Sequence, residues 1–311
     1  MMTIVEIENL SKAYGATEVL KRVSLTIGGS GQIVGILGPN GVGKTTLVEI
    51  IEGLRTAGAG RVTVLGLDPG SQAARLRERI GVQLQSTVLP PELTPRETLR
   101  LFGAFYARAR PPGELLDTVG LAGVGNVPNG RLSMGQQRRL AVALALVNDP
   151  ELVILDEPTS GLDPVARREV HTHLAALRAA GRTVLLASHD LEEVERLCDR
   201  VILLRAGEIV ADGTPAELAS GTGTLPVLRI AVEGAFDDGP LLRAGAMAQG
   251  MEGSHRRYVT PDPNAAMVAI GRIVEGGGVK LVGLDLRRPS LEAFYVEVMG
   301  REPHPGREAT S

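Results

Sequence analysis

Between residues 3 and about 218, short apolar runs alternate with stretches whose apolar positions recur every three or four residues. The runs TIVEIENL (3–10), SLTI (24–27), QIVGIL (32–37), RVTVLG (61–66), ELVILD (151–156), RTVLLAS (182–188) and RVILLRAGEIV (200–210) are rich in branched side chains and bounded by glycine, proline or polar turns, which predicts strands. ELVILD and TVLLAS are almost continuously apolar, as strands covered on both faces of a parallel sheet must be. TTLVEIIEGL (45–54), AARLRERI (73–80), RETLRLFGAFYARA (96–109), QQRRLAVALALV (136–147), VARREVHTHLAALRAAG (165–181) and DLEEVERLCDR (190–200) predict helices between them. The fifth closes on Ala-Ala-Gly, a glycine C-cap. This alternation is that of an α/β fold.

The stretch DGTPAELASGTGTLP (212–226) breaks the pattern, and its glycine- and threonine-rich part, 219–226, reads as a linker. Beyond it VLRIAVEG (227–234), HRRYVTP (255–261) and VKLVGLDL (279–286) predict strands. PLLRAGAMAQ (240–249), NAAMVAIGRIV (264–274) and SLEAFYVEV (290–298) predict helices. In the last, Leu291, Phe294, Tyr295 and Val298 share one face. Residues 227–302 therefore form a small α+β domain, and 303–311 a disordered tail.

Composition narrows the picture in a few places. The 311 residues suit about two domains at roughly 150 each. A net charge of -3 gives no overall positive field for nucleic acid, and no nucleic-acid partner is expected. Cys198 is the only cysteine, so no internal disulfide exists and a reducing compartment is expected; its ordinary role in a helical stretch is a small buried side chain. MMTIVEIENL lacks a basic region followed by an apolar run, so no signal peptide is expected. No apolar run approaches the ~18 residues that span a bilayer.

Residues 38–46, GPNGVGKTT, carry the first chemistry. Gly38, Pro39, Asn40, Gly41, Val42, Gly43, Lys44, Thr45 and Thr46 fit the pattern G-x-x-x-x-G-K-[ST] between a strand and a helix, the context that motif requires. Glycines allow positive φ and close approach of N–H groups to a phosphate, and the helix N-terminus adds donors and partial positive charge. Lys44 suits the β- and γ-phosphates and Thr45 suits Mg²⁺. The only lysines are Lys12, Lys21, Lys44 and Lys280, which makes a chance lysine at this offset less plausible.

ELVILDEPTSGLDP (151–164) delivers Asp156 and Glu157 to the end of a buried strand, where ligands of α/β sheets bind. One carboxylate there can hold Mg²⁺ and its neighbour can orient or deprotonate an attacking water. RLSMGQQRRL (131–140) places Ser133, Gly135 and Gln136 at a helix start; alone this is an ordinary serine N-cap. ASHDLEEVE (187–195) sets His189 after a strand, where a lone histidine is more often a cap or surface residue than a catalyst.

Together and in this order these stretches resemble the ATP-binding subunit of ABC transporters: GPNGVGKTT its Walker A, LSMGQ its signature, LVILDEP its Walker B, SGLD (160–163, ending in Asp163) its D-loop and SHD its switch histidine loop. Gln85 of IGVQLQ matches the Q-loop glutamine, whereas Gln83 two residues earlier does not; Tyr14 of SKAYG matches the aromatic that stacks on adenine. The signature usually has glycine where Met134 stands. The resemblance covers residues 3 to about 218. It implies a P-loop ATPase cassette over 1–218, a mixed-sheet core with a helical subdomain at about 86–150. It implies ATP and Mg²⁺ as cofactors, and a homodimer sandwiching two ATP molecules, Lys44 of one copy facing Ser133, Gly135 and Gln136 of the other. Glu157 is then the general base, His189 holds the γ-phosphate and water, and Asp156, Thr45 and Gln85 serve the metal. A separate multispanning permease is implied, with the chain cytoplasmic and peripheral on the inner face of the membrane.

LDLRRPSLEAFYVEVMGRE (284–302) resembles the C-terminal segment of ATP-binding subunits from drug- and antibiotic-export systems, through Pro289, Ser290, Leu291, Glu292, Phe294 and Gly300. That tips the expected direction from import of sugars or metals towards export of a drug-like or hydrophobic compound. The plainer reading of the second domain is an accessory unit that stabilises the dimer. Soluble relatives that act on ribosomes or DNA are the competing class. They carry two cassettes, coiled-coil insertions or zinc insertions, whereas only about 45 residues separate Gln85 from the signature here, with no heptad run or cysteine cluster. A nucleotide-binding regulator without turnover is the third class, and Asp156-Glu157 with His189 argues against it.

Overall fold

A computed structural model describes residues 3–83, 89–221, 225–287 and 290–300. The chain divides into two compact units, 1–215 and 216–311.

The first unit opens with a long hairpin, β1 (Thr3–Tyr14) and β2 (Thr17–Gly28). β3 (Ile33–Leu37) leads into α1 (Lys44–Ile51). β4 (Ala59–Val64) then pairs with β1, giving an antiparallel sheet of order β2-β1-β4. After α2 (Ala73–Arg77) and β5 (Ile80–Gln83) comes a helical stretch with α3 (Pro95–Gly103), α4 (Pro112–Thr118) and α5 (Met134–Leu144). β6 (Leu152–Asp156), α6 (Pro164–Ala179), β7 (Thr183–Ser188), α7 (Leu191–Leu197), β8 (Arg200–Arg205) and β9 (Glu208–Gly213) complete the unit.

The second sheet has the order β5-β6-β7-β3-β8-β9, parallel except for β9. Every residue of β3, β6 and β7 is buried, which is why these runs carry no alternation. α1 packs between the sheets, touching β2, β4 and β7. One apolar cluster, including Val5, Ile7, Leu47, Ile51, Ile154 and Leu185, ties them together. Gly35 is small for a packing reason. A Cβ there would lie 2.8 Å from Cys198 Sγ and 3.2 Å from Val194 Cγ1, so α7 could not approach β3. Cys198 is buried beside it, as expected for a small core side chain.

The second unit follows α8 (Pro215–Ser220), which lies at the division. It runs β10 (Val227–Gly234), α9 (Gly239–Arg243), β11 (Met247–Glu252), β12 (His255–Val259), α10 (Pro263–Glu275), β13 (Val279–Arg287) and α11 (Leu291–Gly300). The antiparallel sheet has the order β11-β12-β10-β13, the split βαβ arrangement of ferredoxin-like domains. Leu228, Ile230, Tyr258 and Ile270 lie in its core. Leu291 of α11 is buried; Phe294, Tyr295 and Val298 are half-buried.

Two expectations need correcting, and one strand was not expected. PLLRAGAMAQ is not one helix: α9 ends near Ala244, Gly245 takes φ 87°, and the chain turns into the edge strand β11. RVILLRAGEIV is a hairpin, turned at Ala206 and Gly207 with φ 50° and 86°. IGVQ, which carried no strand expectation, pairs with β6 as β5. Gln85, Pro289, part of the 219–226 linker and the 303–311 tail lie outside the described residues. No described helix is long and apolar enough to cross a membrane.

Candidate functional site

Adjacent parallel strands bring the chemistry to one edge of the sheet. Leu37, the last residue of β3, pairs with Ser188 at the end of β7, and Asp156 of β6 pairs with Ala187. The phosphate loop, the two acids and His189 therefore leave the sheet side by side, as the strand ends predicted.

Gly43 caps α1 with φ 109°, and a side chain there would meet Val19 O and Leu20 Cδ2 at 2.9 Å. The Lys44 ammonium is buried and donates to Gly38 O at 2.6 Å and Pro39 O at 3.1 Å. Burial lowers its pKa, and the charges of Glu157 and Asp156 oppose that shift. Lys44, Thr45 and Thr46 line one side of a cleft of about 450 Å³, and Asp156 and Glu157 line another. Asn40 and Gly41 reach the same cleft. Burial raises the Asp156 pKa, helped by Glu157, while Lys44 opposes.

Glu157 sits at the turn out of β6 with φ 52°, a left-handed backbone that side chains disfavour by about 1–2 kcal/mol. Its N–H donates to Ala187 O at 2.9 Å, which holds the turn against β7. Its Oε1 lies 2.7 Å from His189 Nδ1. A carboxylate fixed beside an imidazole, across a cleft from a buried ammonium, is equipped to bind phosphate and to take a proton from water.

Other expected site residues stand apart from this cleft. Ser133 and Gln136 form a capping box on α5: Ser133 Oγ accepts from Gln136 N–H at 3.2 Å, and Gln136 Oε1 accepts from Ser133 N–H at 2.9 Å. Gly135 lets α5 meet α6, since a Cβ there would lie 2.8 Å from Ala166 Cβ. Asp163 caps α6, its Oδ1 accepting from the N–H groups of Val165 and Ala166, which lowers its pKa. Tyr14 ends β1, 41% exposed, with the Arg55 guanidinium 5.2 Å and the Lys12 ammonium 5.6 Å from its ring centre. It does not line the cleft. Gln83 is buried at the end of β5.

A group that the sequence did not disclose lies next to the pair. Glu193, Thr159, Ser188 and His171 make a buried polar cluster joining α6, α7, the loop after β6 and the end of β7. An acidic residue in the first turn of a helix reads as surface charge, and nothing local announces its burial.

Fold and cleft together define a phosphate-loop nucleoside triphosphatase built as an ATP-binding cassette. The family described as ABC transporter matches residues 20–160. The Nod factor export ATP-binding protein I of Rhizobium johnstonii is 36% identical over 303 residues, covering 96% of this chain and 95% of that one. The linearmycin resistance ATP-binding protein LnrL of Bacillus subtilis is 33% identical over 310 residues, covering 96% and 99%. Among solved structures, cbiO1 of Clostridium perfringens, part of the ABC transporter complex cbiONQ, aligns with a TM-score of 0.64 at 30% identity over 71% of this chain and 92% of that one. The cassette MJ0796, dimeric in a post-hydrolysis state bound to ADP and Pi, aligns with a TM-score of 0.62 at 30% identity over 68% and 98%. The chain belongs to the ABC transporter family, as one of its ATP-binding, ATP-hydrolysing subunits.

Proposed function

We propose that the chain is the ATPase of an exporter, closing as a homodimer around two ATP molecules and driving a separate multispanning permease from the inner face of the membrane. The direction and cargo class rest on the relatives: one is named for export of Nod factor and another for resistance to linearmycin. A drug-like or hydrophobic compound is the cargo class that this likeness and the α11 segment favour.

The observation that carries the ATPase reading is the 2.7 Å pair of Glu157 and His189 at the edge of the Lys44 cleft. Lys44 exchanges its two carbonyl acceptors for the β- and γ-phosphates, and the N–H groups from Asn40 to Thr46 cradle them. Glu157 takes the proton of the attacking water, and His189 orients that water and the γ-phosphate. Ser133, Gly135 and Gln136, with Asp163 at the start of the helix that packs on Gly135, meet the γ-phosphate held by the other copy. This explains why they stand apart from their own cleft. Tyr14 stacks on adenine, and Gln85 links the metal to the permease.

Mg²⁺ fits the donors present: the exposed Thr45 hydroxyl and the Asp156 carboxylate, whose buried charge a neighbouring cation would stabilise. Bound there, the ion neutralises phosphate charge.

Glu157→Gln keeps the shape of the site and removes the base. Phosphate release should fall about a hundredfold or more, ATP binding should persist, and an ATP-dependent dimer should accumulate in size-exclusion chromatography. Turnover at the wild-type rate would refute the base assignment.

A further inference from the structure

Two residues beyond Glu157 and one residue before His189, the chain reaches the same buried carboxylate. Thr159 Oγ1 donates to Glu193 Oε1 at 2.7 Å, and Ser188 Oγ donates to Glu193 Oε2 at 2.7 Å. His171 Nε2 lies 3.2 Å from Oε1. Glu193 is 1% exposed. Its N–H donates to Asp190 Oδ1 at 3.0 Å, Asp190 N–H donates to Ser188 Oγ at 3.1 Å, and Arg167 donates to Asp190 Oδ2 at 2.7 Å. The loop that bears the acid and the loop that bears the histidine are thus knotted to α6 and α7 through one side chain.

A carboxylate is costly to bury, and here its two oxygens are used separately, one for each loop. An apolar side chain could fill the space but could not join two hydroxyls. Glu157 also holds a left-handed backbone, which persists only where the surroundings constrain it. Thr159, two residues on, is the next anchored side chain of that loop.

We propose that Glu193 is a positioning residue for ATP hydrolysis, a two-handed clamp that sets Glu157 against His189 by holding Thr159 and Ser188. The inference deepens the function proposed above and rests on its assignment of Glu157 as base. The clamp acts on the chemical step and not on nucleotide capture, because the cleft is lined by the phosphate loop and the strand-end acids and not by Glu193.

Thr159→Val and Ser188→Ala each delete one hydroxyl with little change of shape. Steady-state phosphate release from Mg·ATP gives kcat, and titration with a fluorescent ATP analogue gives affinity. Each single variant should lower kcat about five- to tenfold, less than the roughly hundredfold that a 1 Å misplacement can cost, with affinity held within about twofold. The double variant should fall little further than the worse single one, because both act through one carboxylate. Glu193→Gln, which can still bridge two hydroxyls, should retain more activity than Glu193→Leu. Wild-type kcat in both singles, parallel loss of kcat and affinity, or multiplicative losses in the double variant would overturn the clamp. Glu157→Gln measured alongside separates the two failures. If it is inactive while the cycle shows no coupling, only the clamp fails. If it turns over normally, the base assignment fails and the clamp with it.

Discussion

Glu52, just past the end of α1, and Glu193, in α7, are 2% and 1% exposed, yet their surroundings differ completely. Around Glu193 three donors converge on two oxygens. Around Glu52 neither oxygen has a hydrogen-bond partner among the described residues, and it faces an apolar hollow of about 280 Å³ lined in part by Leu54, Val82, Phe102 and Tyr106. Burial, with Asp156 and Glu49 nearby, pushes the Glu52 carboxyl up from its ordinary 4.5 to about 8. Equal burial therefore says little about what an acid contributes. The donors that meet it decide whether it is a fixed charge or a retained proton.

The largest test of that contrast is Glu193→Ala. It strands the hydroxyls of Thr159 and Ser188 and the ring of His171 in the core, and should cost on the order of 3 kcal/mol in urea unfolding. A loss below about 1 kcal/mol would mean that the donors find other partners.

Glu52→Gln should act in the other direction, and only at higher pH. The folded chain keeps the Glu52 proton from about 4.5 to about 8, where the unfolded chain has released it. Stability from this group is therefore fully present below the unfolded value and declines as pH rises towards the folded one. The slope is about 1.4 kcal/mol for each pH unit in that window. Melting curves should show the variant matching wild type at pH 4.5 and exceeding it at pH 8. Equal differences at both pH values would show that Glu52 does not carry the proton.

The smallest effect belongs to Ser133, whose hydroxyl caps α5 at the surface. Ser133→Ala should cost about 1 kcal/mol of stability and leave ATP affinity of the single chain unchanged, while hydrolysis by the proposed dimer falls. An altered affinity in the isolated chain would place Ser133 in its own cleft and not in a partner's.

The contrast also marks what could be read from the chain. GPNGVGKTT and Asp156-Glu157 were legible because contiguous residues carry their geometry: a loop and a strand end. Burial of ELVILD and TVLLAS followed from composition for the same reason. His189 by itself read as a cap or surface residue, and only the family resemblance set it beside the acid. Glu193 was not legible, because its partners lie 34 and 5 residues away and only the meeting of β6, β7 and α7 makes them neighbours. β11 was missed for a different reason. MAQGME has neither branched residues nor alternation, and all six residues are exposed, so nothing but pairing with β12 makes it a strand. Tyr14 shows the limit of a motif, since its neighbours Lys12 and Arg55 are set by the β1–β2 hairpin and by α1.

The packing of Cys198 against Gly35 has a practical consequence. Its thiol is buried and its pKa is raised by desolvation, so the thiolate that reagents attack is scarce as well as sheltered. The protein thus offers a silent background for site-directed labelling. A cysteine placed at exposed Met251 or Val165 would be the one reactive handle, and a maleimide dye could be attached there without first replacing Cys198.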